Sequence, residues 1–195
     1  MLRDVTTPKA VELTDARALR AVAHPLRLSL IGLLRREGPL TATQAGAKVG
    51  ESPASCSFHL RQLAKYGLVE EAGGGRGRER PWRATAQYTS WPEVADDPDL
   101  TAASQLLSKL IAERYFQRAL AWLDRLPEEP AEWSGAAAFG DAMLYLTADE
   151  LASLRDELVA LAQRYAERTV DPSLRPEGSR LVSFLQLAFP EPRDG

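Results

Sequence analysis

Apolar residues recur at helical spacing early in the chain: Leu19, Val22, Leu26, Leu30, Leu33 and Leu34 follow a candidate cap at Asp15. The dipeptide His24-Pro25 interrupts that stripe, because proline lacks a backbone donor and pushes its predecessor out of helical geometry. The pattern predicts a short helix to about Ala23 and a second from Pro25 to Arg36, stopped by Gly38-Pro39. Thr41 or Thr43 caps a third helix through Lys48, ended by Gly50. Ser52 and Pro53 open a fourth that runs to Tyr66, with Gly67 as its stop. The runs Leu68 to Glu71 and Trp82 to Ala86 flank a tip rich in glycine and arginine, and read as a hairpin.

A joint rich in proline and aspartate, Pro92 to Pro98, separates this part from a long helix over 99–126. That helix carries two apolar stripes where a solitary surface helix needs one; dimerisation or packing on the following region accounts for the second. After Pro127 to Pro130, the run Ala136 to Leu146 reads as a strand. Thr147 and Glu150 then form a capping box ahead of a helix bearing Leu151, Leu154, Leu158, Leu161 and Tyr165. Leu181 to Phe189 reads as a last strand. The expected fold is mainly α (α+β). A flexible arm (1–14) precedes a winged helix-turn-helix (15–90), and 91–195 hold a long dimerisation helix and a small strand-helix-strand region.

Charge sharpens the division. Residues 1–90 hold 14 Lys and Arg against 8 Asp and Glu, whereas residues 91–195 hold 10 against 19. A basic half joined to an acidic half points to a polyanionic partner for the first. The single cysteine, Cys56, excludes an internal disulfide and suits a reducing compartment. No apolar leader opens the chain and no apolar run is long enough to span a bilayer, so a cytoplasmic protein is expected.

The fourth predicted helix carries the chemistry. Cys56, Leu60 and Leu63 share one face, suited to packing on Leu30, Leu34 and Leu40, while Ala54, Ser57, Phe58, Arg61 and Lys65 occupy the opposite arc. Small side chains allow close approach to a major groove, hydroxyls bond bases or phosphates, and an arginine reaches either. The candidate DNA-binding set is Thr43 and Gln44 from the third helix; Ser52, Ala54, Ser55, Ser57, Phe58, His59, Arg61, Gln62 and Lys65 around the fourth; and Arg76, Arg78 and Arg80 from the hairpin tip. The arginines suit the DNA backbone or the minor groove.

Four stretches in this order and spacing resemble the ArsR-type winged helix. They are Leu19 to Leu34 around His24-Pro25-Leu26-Arg27, then Ser55 to Leu63, then Tyr66-Gly67-Leu68-Val69, and then the Gly/Arg hairpin. The resemblance covers residues 17–86. It implies a homodimer with paired recognition helices on a two-fold symmetric operator, and usually repression relieved by an inducer. The metal-sensing branch carries a Cys-x-Cys pair beside the third helix, or His and acidic ligands on the terminal helices. Here Thr41 to Gly50 contains no Cys or His, and the only histidines are His24 and His59. A soft metal needs several converging thiolates or imidazoles, so no metal and no cofactor is expected.

Plainer readings stand beside these. Cys56 is either a redox-active thiol or a core thiol, and its place on the Leu60 face favours the core. His24, before a proline at a helix start, suits capping or packing better than ligation. His59 suits phosphate contact or packing equally, and Phe58 either touches DNA or packs on the third helix. Trp122, Trp133, Phe139 and Tyr145 are core residues or, alternatively, the lining of an apolar effector pocket. No nucleophile–base pair or phosphate loop appears, so an enzyme is not expected. The competing function is a winged-helix module that binds protein without reading DNA; the basic tip and the Ser/Arg face argue against it.

Overall fold

The computed structural model describes residues 10–75 and 79–192. The chain divides between Gln117 and Arg118 into two compact units. In the first, α1 (Ala16–Val22) and α2 (Pro25–Glu37) meet at the corner predicted from His24-Pro25. Asp15 caps α1 by accepting from the Arg17 N–H, and the His24 ring caps α2 by accepting from the Leu26 N–H at 3.2 Å. α3 (Ala42–Val49) opens on a capping box. Gln44 N–H donates to Thr41 Oγ1 at 3.2 Å while the Gln44 side-chain oxygen accepts from Thr41 N–H at 2.8 Å.

Gly50, left-handed at φ +73°, ends α3 and turns the chain into α4 (Pro53–Ala64). Ser52 caps α4 through the Ser55 N–H at 3.1 Å. The turn is tight because Gly46 lies against its backbone: a β-carbon there would stand 2.5 Å from the Glu51 carbonyl oxygen. The Gly46 carbonyl in turn accepts from the Glu51 N–H at 3.0 Å.

The hairpin is present. β2 (Val69–Glu71) pairs antiparallel with β3 (Trp82–Ala84), with Glu70 opposite Arg83 and Glu71 opposite Trp82. Leu40 extends this ladder by exchanging both backbone bonds with Trp82, at 3.0 and 2.8 Å, which ties the α2–α3 link to the wing.

β1 (Ala10–Glu12) runs parallel to β4 (Tyr88–Ser90), so residues 10–12, expected to belong to a loose arm, are an ordered strand. The Arg35 guanidinium, on α2, holds the β4 side of the wing through the Ala86 carbonyl (2.9 Å) and Thr89 Oγ1 (2.7 Å).

One core joins these elements. Leu19, Leu30, Leu34, Cys56, Leu60, Leu63, Leu68 and Val69 are buried in it, with Leu40 packed at its edge. The long helix, α5 (Pro98–Arg125), contributes Ala103 and Leu107. The first compact unit therefore extends well past the Pro/Asp joint: the first turns of α5 bury their apolar stripe in the helix-turn-helix core. Ser104, beside them, buries a hydroxyl that makes no hydrogen bond within the described protein.

The second unit holds the end of α5, a 3-10 turn at Leu126–Glu128, α6 (Ala131–Ala136), α7 (Ala148–Gln163), α8 (Glu167–Val170) and a 3-10 turn at Pro172–Leu174. Thr147 and Glu150 close the predicted capping box at the start of α7. The two predicted strands are absent. Residues 137–146 and 181–189 carry no ladder among the described residues, so the C-terminal region is not strand-helix-strand. Alternating apolar residues meet only half of a strand's requirement; the other half is a hydrogen-bonded neighbour, and neither run has one. No helix is long and apolar enough to cross a membrane among the described residues.

Candidate nucleic-acid interface

α4 presents two contrasting faces. Cys56, Leu60 and Leu63 are buried, while Ala54, Phe58, Arg61 and Lys65 form an exposed stripe at steps of four, three and four. This is the division expected from the sequence except at Ser57, which is half-buried. Phe58 is 49% exposed, so about half of a large aromatic side chain faces solvent on the surface of the helix. Arg61 Nε donates to the Ser57 carbonyl at 3.2 Å, which lays its guanidinium back along the helix.

Between α3, α4 and the wing lies an open groove of about 660 Å³. Thr41, Thr43 and Gln44 line one side, Ser57 and Arg61 the floor, and Glu71, Arg80 and Trp82 the other side. It brings together candidate residues from all three predicted segments: Thr43 and Gln44, Ser57 and Arg61, and Arg80. Ser52 and Ala54 are exposed at the start of α4, and Ser55, His59 and Gln62 are half-buried on its flanks. Arg80 is engaged by Glu71 at 3.0 Å, and Arg83 by Glu70 at 2.7 Å, so these two basic side chains of the wing are held by carboxylates of the facing strand. Arg76 and Arg78 lie outside the described residues.

Groove residues that sequence reasoning missed are Thr41, Ala42, Glu71, Glu79 and Trp82, which bring a hydroxyl, two carboxylates and an indole. The Trp82–Leu40 pairing that positions one wall spans more than forty residues, beyond any local pattern. Gly46 was readable only as a glycine inside a helix.

The two histidines lie together. His59, on α4, has its ring centroid 4.5 Å from that of His24, and its Nδ1 accepts from Arg27 Nε at 3.1 Å. Burial, reinforced by His24 and Arg27, holds the His59 imidazole below its ordinary pKa, with Glu51 opposing. Cys56 is fully buried, and burial followed by the Glu51 charge pushes its thiol up, away from the reactive thiolate. No group of three or more His, Cys, Asp or Glu placed to hold a metal occurs among the described residues.

The four aromatic residues expected at an effector pocket sit in different settings. Trp122 is half-buried on α5, and Trp133 lies beneath the Arg180 guanidinium at 4.8 Å. Phe139 and Tyr145 are exposed. A second, small cavity of about 170 Å³ lies in the first unit between Pro25 and Leu28 on α2 and Leu110, Glu113, Arg114 and Gln117 on α5.

Residues 22–72 match a family model described as a helix-turn-helix domain. That segment is a helix-turn-helix domain. With the β2–β3 hairpin behind α4, this helix-turn-helix domain is a winged one. Among solved structures, the chain is similar to the homodimeric winged helix-turn-helix DNA-binding domain of a possible ArsR-family transcriptional regulator from Mycobacterium bovis. The identity is 22% over 50% of this chain and 78% of that one, with a TM-score of 0.33. It is similar also to a possible transcriptional regulator for arsenical resistance (28% identity, 49% of this chain and 94% of that one, TM-score 0.31). A mutant of Lactococcus lactis ZitR in apo form matches at 14% identity over 76% of this chain and 90% of that one, with a TM-score of 0.30. No curated protein matches the chain.

Proposed function

We propose that the chain is a homodimeric, ArsR-type transcriptional regulator that reads double-stranded DNA with α4 and steadies itself with the wing. The observation that carries the reading is the exposed stripe Ala54, Phe58, Arg61 and Lys65, set over a fully buried back and beside the groove shared with α3 and the wing. A helix anchored in this way enters a major groove without losing its own packing. Its N-terminal end, with Ser52 and Ala54, comes closest to the bases; Lys65, at its other end, suits a phosphate. Phe58 touches a thymine methyl or a sugar, and Arg61 swings off the Ser57 carbonyl to a guanine edge or a phosphate.

Dimerisation is supported by α5, whose Leu106, Phe116, Leu120 and Leu123 are all exposed. Exposed apolar surface of this kind marks an interaction site. A two-fold dimer then places two copies of α4 on an inverted-repeat operator, one helical turn or a multiple apart. Repression released by an inducer is the regulatory mode that the ArsR-type resemblance implies, and the absence of Cys and His from Thr41 to Gly50 favours a non-metal effector.

The test is selection from a randomised duplex pool, followed by a salt titration on the enriched site and sedimentation of the complex. Recovery of an inverted repeat bound by two chains, with affinity falling steeply as salt rises, supports the reading. A folded protein that enriches nothing and binds only weakly at low salt overturns it in favour of a protein-binding winged helix.

A further inference from the structure

The contact between Arg27, His24 and His59 joins three elements through one ring. The Nδ1 of His59 accepts the Arg27 Nε–H at 3.1 Å, and an imidazole nitrogen accepts only when it carries no proton. The same guanidinium donates to the Ala21 carbonyl in the last turn of α1. The His24 ring stacks on His59, tilted by 33°, while its own Nδ1 is occupied as the cap of α2. Phe58 of the exposed stripe meets the His59 ring edge-on, at 5.2 Å between centroids. The end of α1, the start of α2 and the recognition helix are therefore held together by a neutral imidazole.

Protonation of His59 removes the acceptor and sets a new cation against the Arg27 guanidinium and the His24 ring. The groups that bear on His59 are His24 at the α1–α2 corner, Arg27 on α2 and Glu51 ahead of α4, and only Glu51 favours the charged form. The folded state thus prefers the neutral ring. Its contribution to stability is complete above the unfolded value of about 6.5 and is lost as the pH falls through the lower folded value.

We propose that His59 is a positioning residue: its neutral ring locks the recognition helix to the α1–α2 corner through Arg27, and proton uptake opens the lock and weakens DNA binding in acid. The second half of this statement rests on the reading that α4 enters DNA; the first half does not.

Two measurements on the full chain test it. Nitrogen-15 NMR of the histidines reports tautomer and titration without DNA. The expected result is a His59 ring protonated at Nε2 when neutral, with a midpoint below the ordinary imidazole range. A neutral ring protonated at Nδ1 overturns the lock outright. Binding to the selected duplex is then followed from pH 8 to pH 5.5, with the salt dependence recorded at both ends. Wild type loses affinity on the order of tenfold in acid with its salt slope unchanged. His59→Asn, which offers a side-chain oxygen as a non-titrating acceptor, is read only for its pH dependence. Whatever its affinity at pH 8, it shows no further acid loss, and an acid loss equal to that of wild type overturns the proposal. An affinity that rises in acid, with a salt slope steeper by about one, makes His59 a phosphate contact and overturns the proposal. Failure of every duplex to bind at any pH overturns the DNA reading and the claimed effect on binding, while the tautomer still decides the lock.

Discussion

Helices α3 and α7 begin alike and end differently. Thr41 with Gln44 and Thr147 with Glu150 close the same capping box, and both helices carry apolar residues at helical spacing. α3 buries Ala45 and Gly46 against the turn into α4, within a core that fully buries Leu30, Leu34, Leu60 and Leu63. α7 has no buried residue, and Leu151, Leu154 and Leu158 are only half-buried. Elsewhere in the second unit, Phe139, Met143, Tyr145, Leu181, Val182 and Phe184 face solvent. Local signals start a helix in either unit, because a cap and a periodic stripe need only neighbours in sequence. Burial needs a second surface, which the helix-turn-helix unit supplies from its own elements.

The comparison can be broken by substitution, and the largest effect is expected in the shared core. Leu60→Ala removes a fully buried side chain between α4 and the core, and lowers unfolding free energy by about 2–5 kcal/mol in a denaturant titration. Leu181→Ala, 65% exposed in the second unit, is expected to change it by less than about 0.5 kcal/mol at protein concentrations where the chain is monomeric. Equal costs would erase the distinction between the two units.

Gly46→Ala is the next test, directed at the turn. Its β-carbon meets the Glu51 carbonyl at 2.5 Å and has to displace backbone, at a cost of about 1–3 kcal/mol. Because that displacement shifts the start of α4, DNA affinity falls along with the melting temperature. A variant as stable as wild type would show that the turn has slack.

Arg61→Ala leaves the fold alone, since among the described residues its side chain bonds only to its own helix, and is read in binding. It is expected to lower discrimination at one base position by about 1–3 kcal/mol in competition assays. The last effect, of opposite sign, is at Ser104. Ser104→Ala removes a buried hydroxyl that makes no hydrogen bond within the described protein, and is expected to raise stability by up to about 1 kcal/mol by thermal or denaturant melting.

Most of the helix-turn-helix was legible in the sequence because its boundaries are marked by residues with strong local preferences. Asp15, Thr41, Ser52 and Thr147 cap the helices for which they were proposed, and Gly50 takes the left-handed conformation that ends α3. The stripe on α4 was legible for the same reason: a buried Cys56/Leu60/Leu63 face determines where Ala54, Phe58, Arg61 and Lys65 point. Contacts between distant residues were not. The β1–β4 pair joins three-residue strands nearly eighty positions apart, too far for any single turn to announce. The Arg27–His59 bond depends on how α2 crosses α4, which no spacing within either helix encodes. The two apolar runs expected as strands failed for the complementary reason, since their pattern was present and their ladder partner was not.

The central claim is that the exposed stripe of α4 reads base sequence. It is tested most directly by selecting duplexes from one randomised pool with wild type and with a Phe58→Ala, Arg61→Ala double variant. The account predicts that wild type enriches an inverted repeat, while the folded double variant still binds duplex DNA in a salt-dependent way and enriches no motif. Recovery of the same motif by both proteins would contradict it, because sequence would then be read by another surface of the chain.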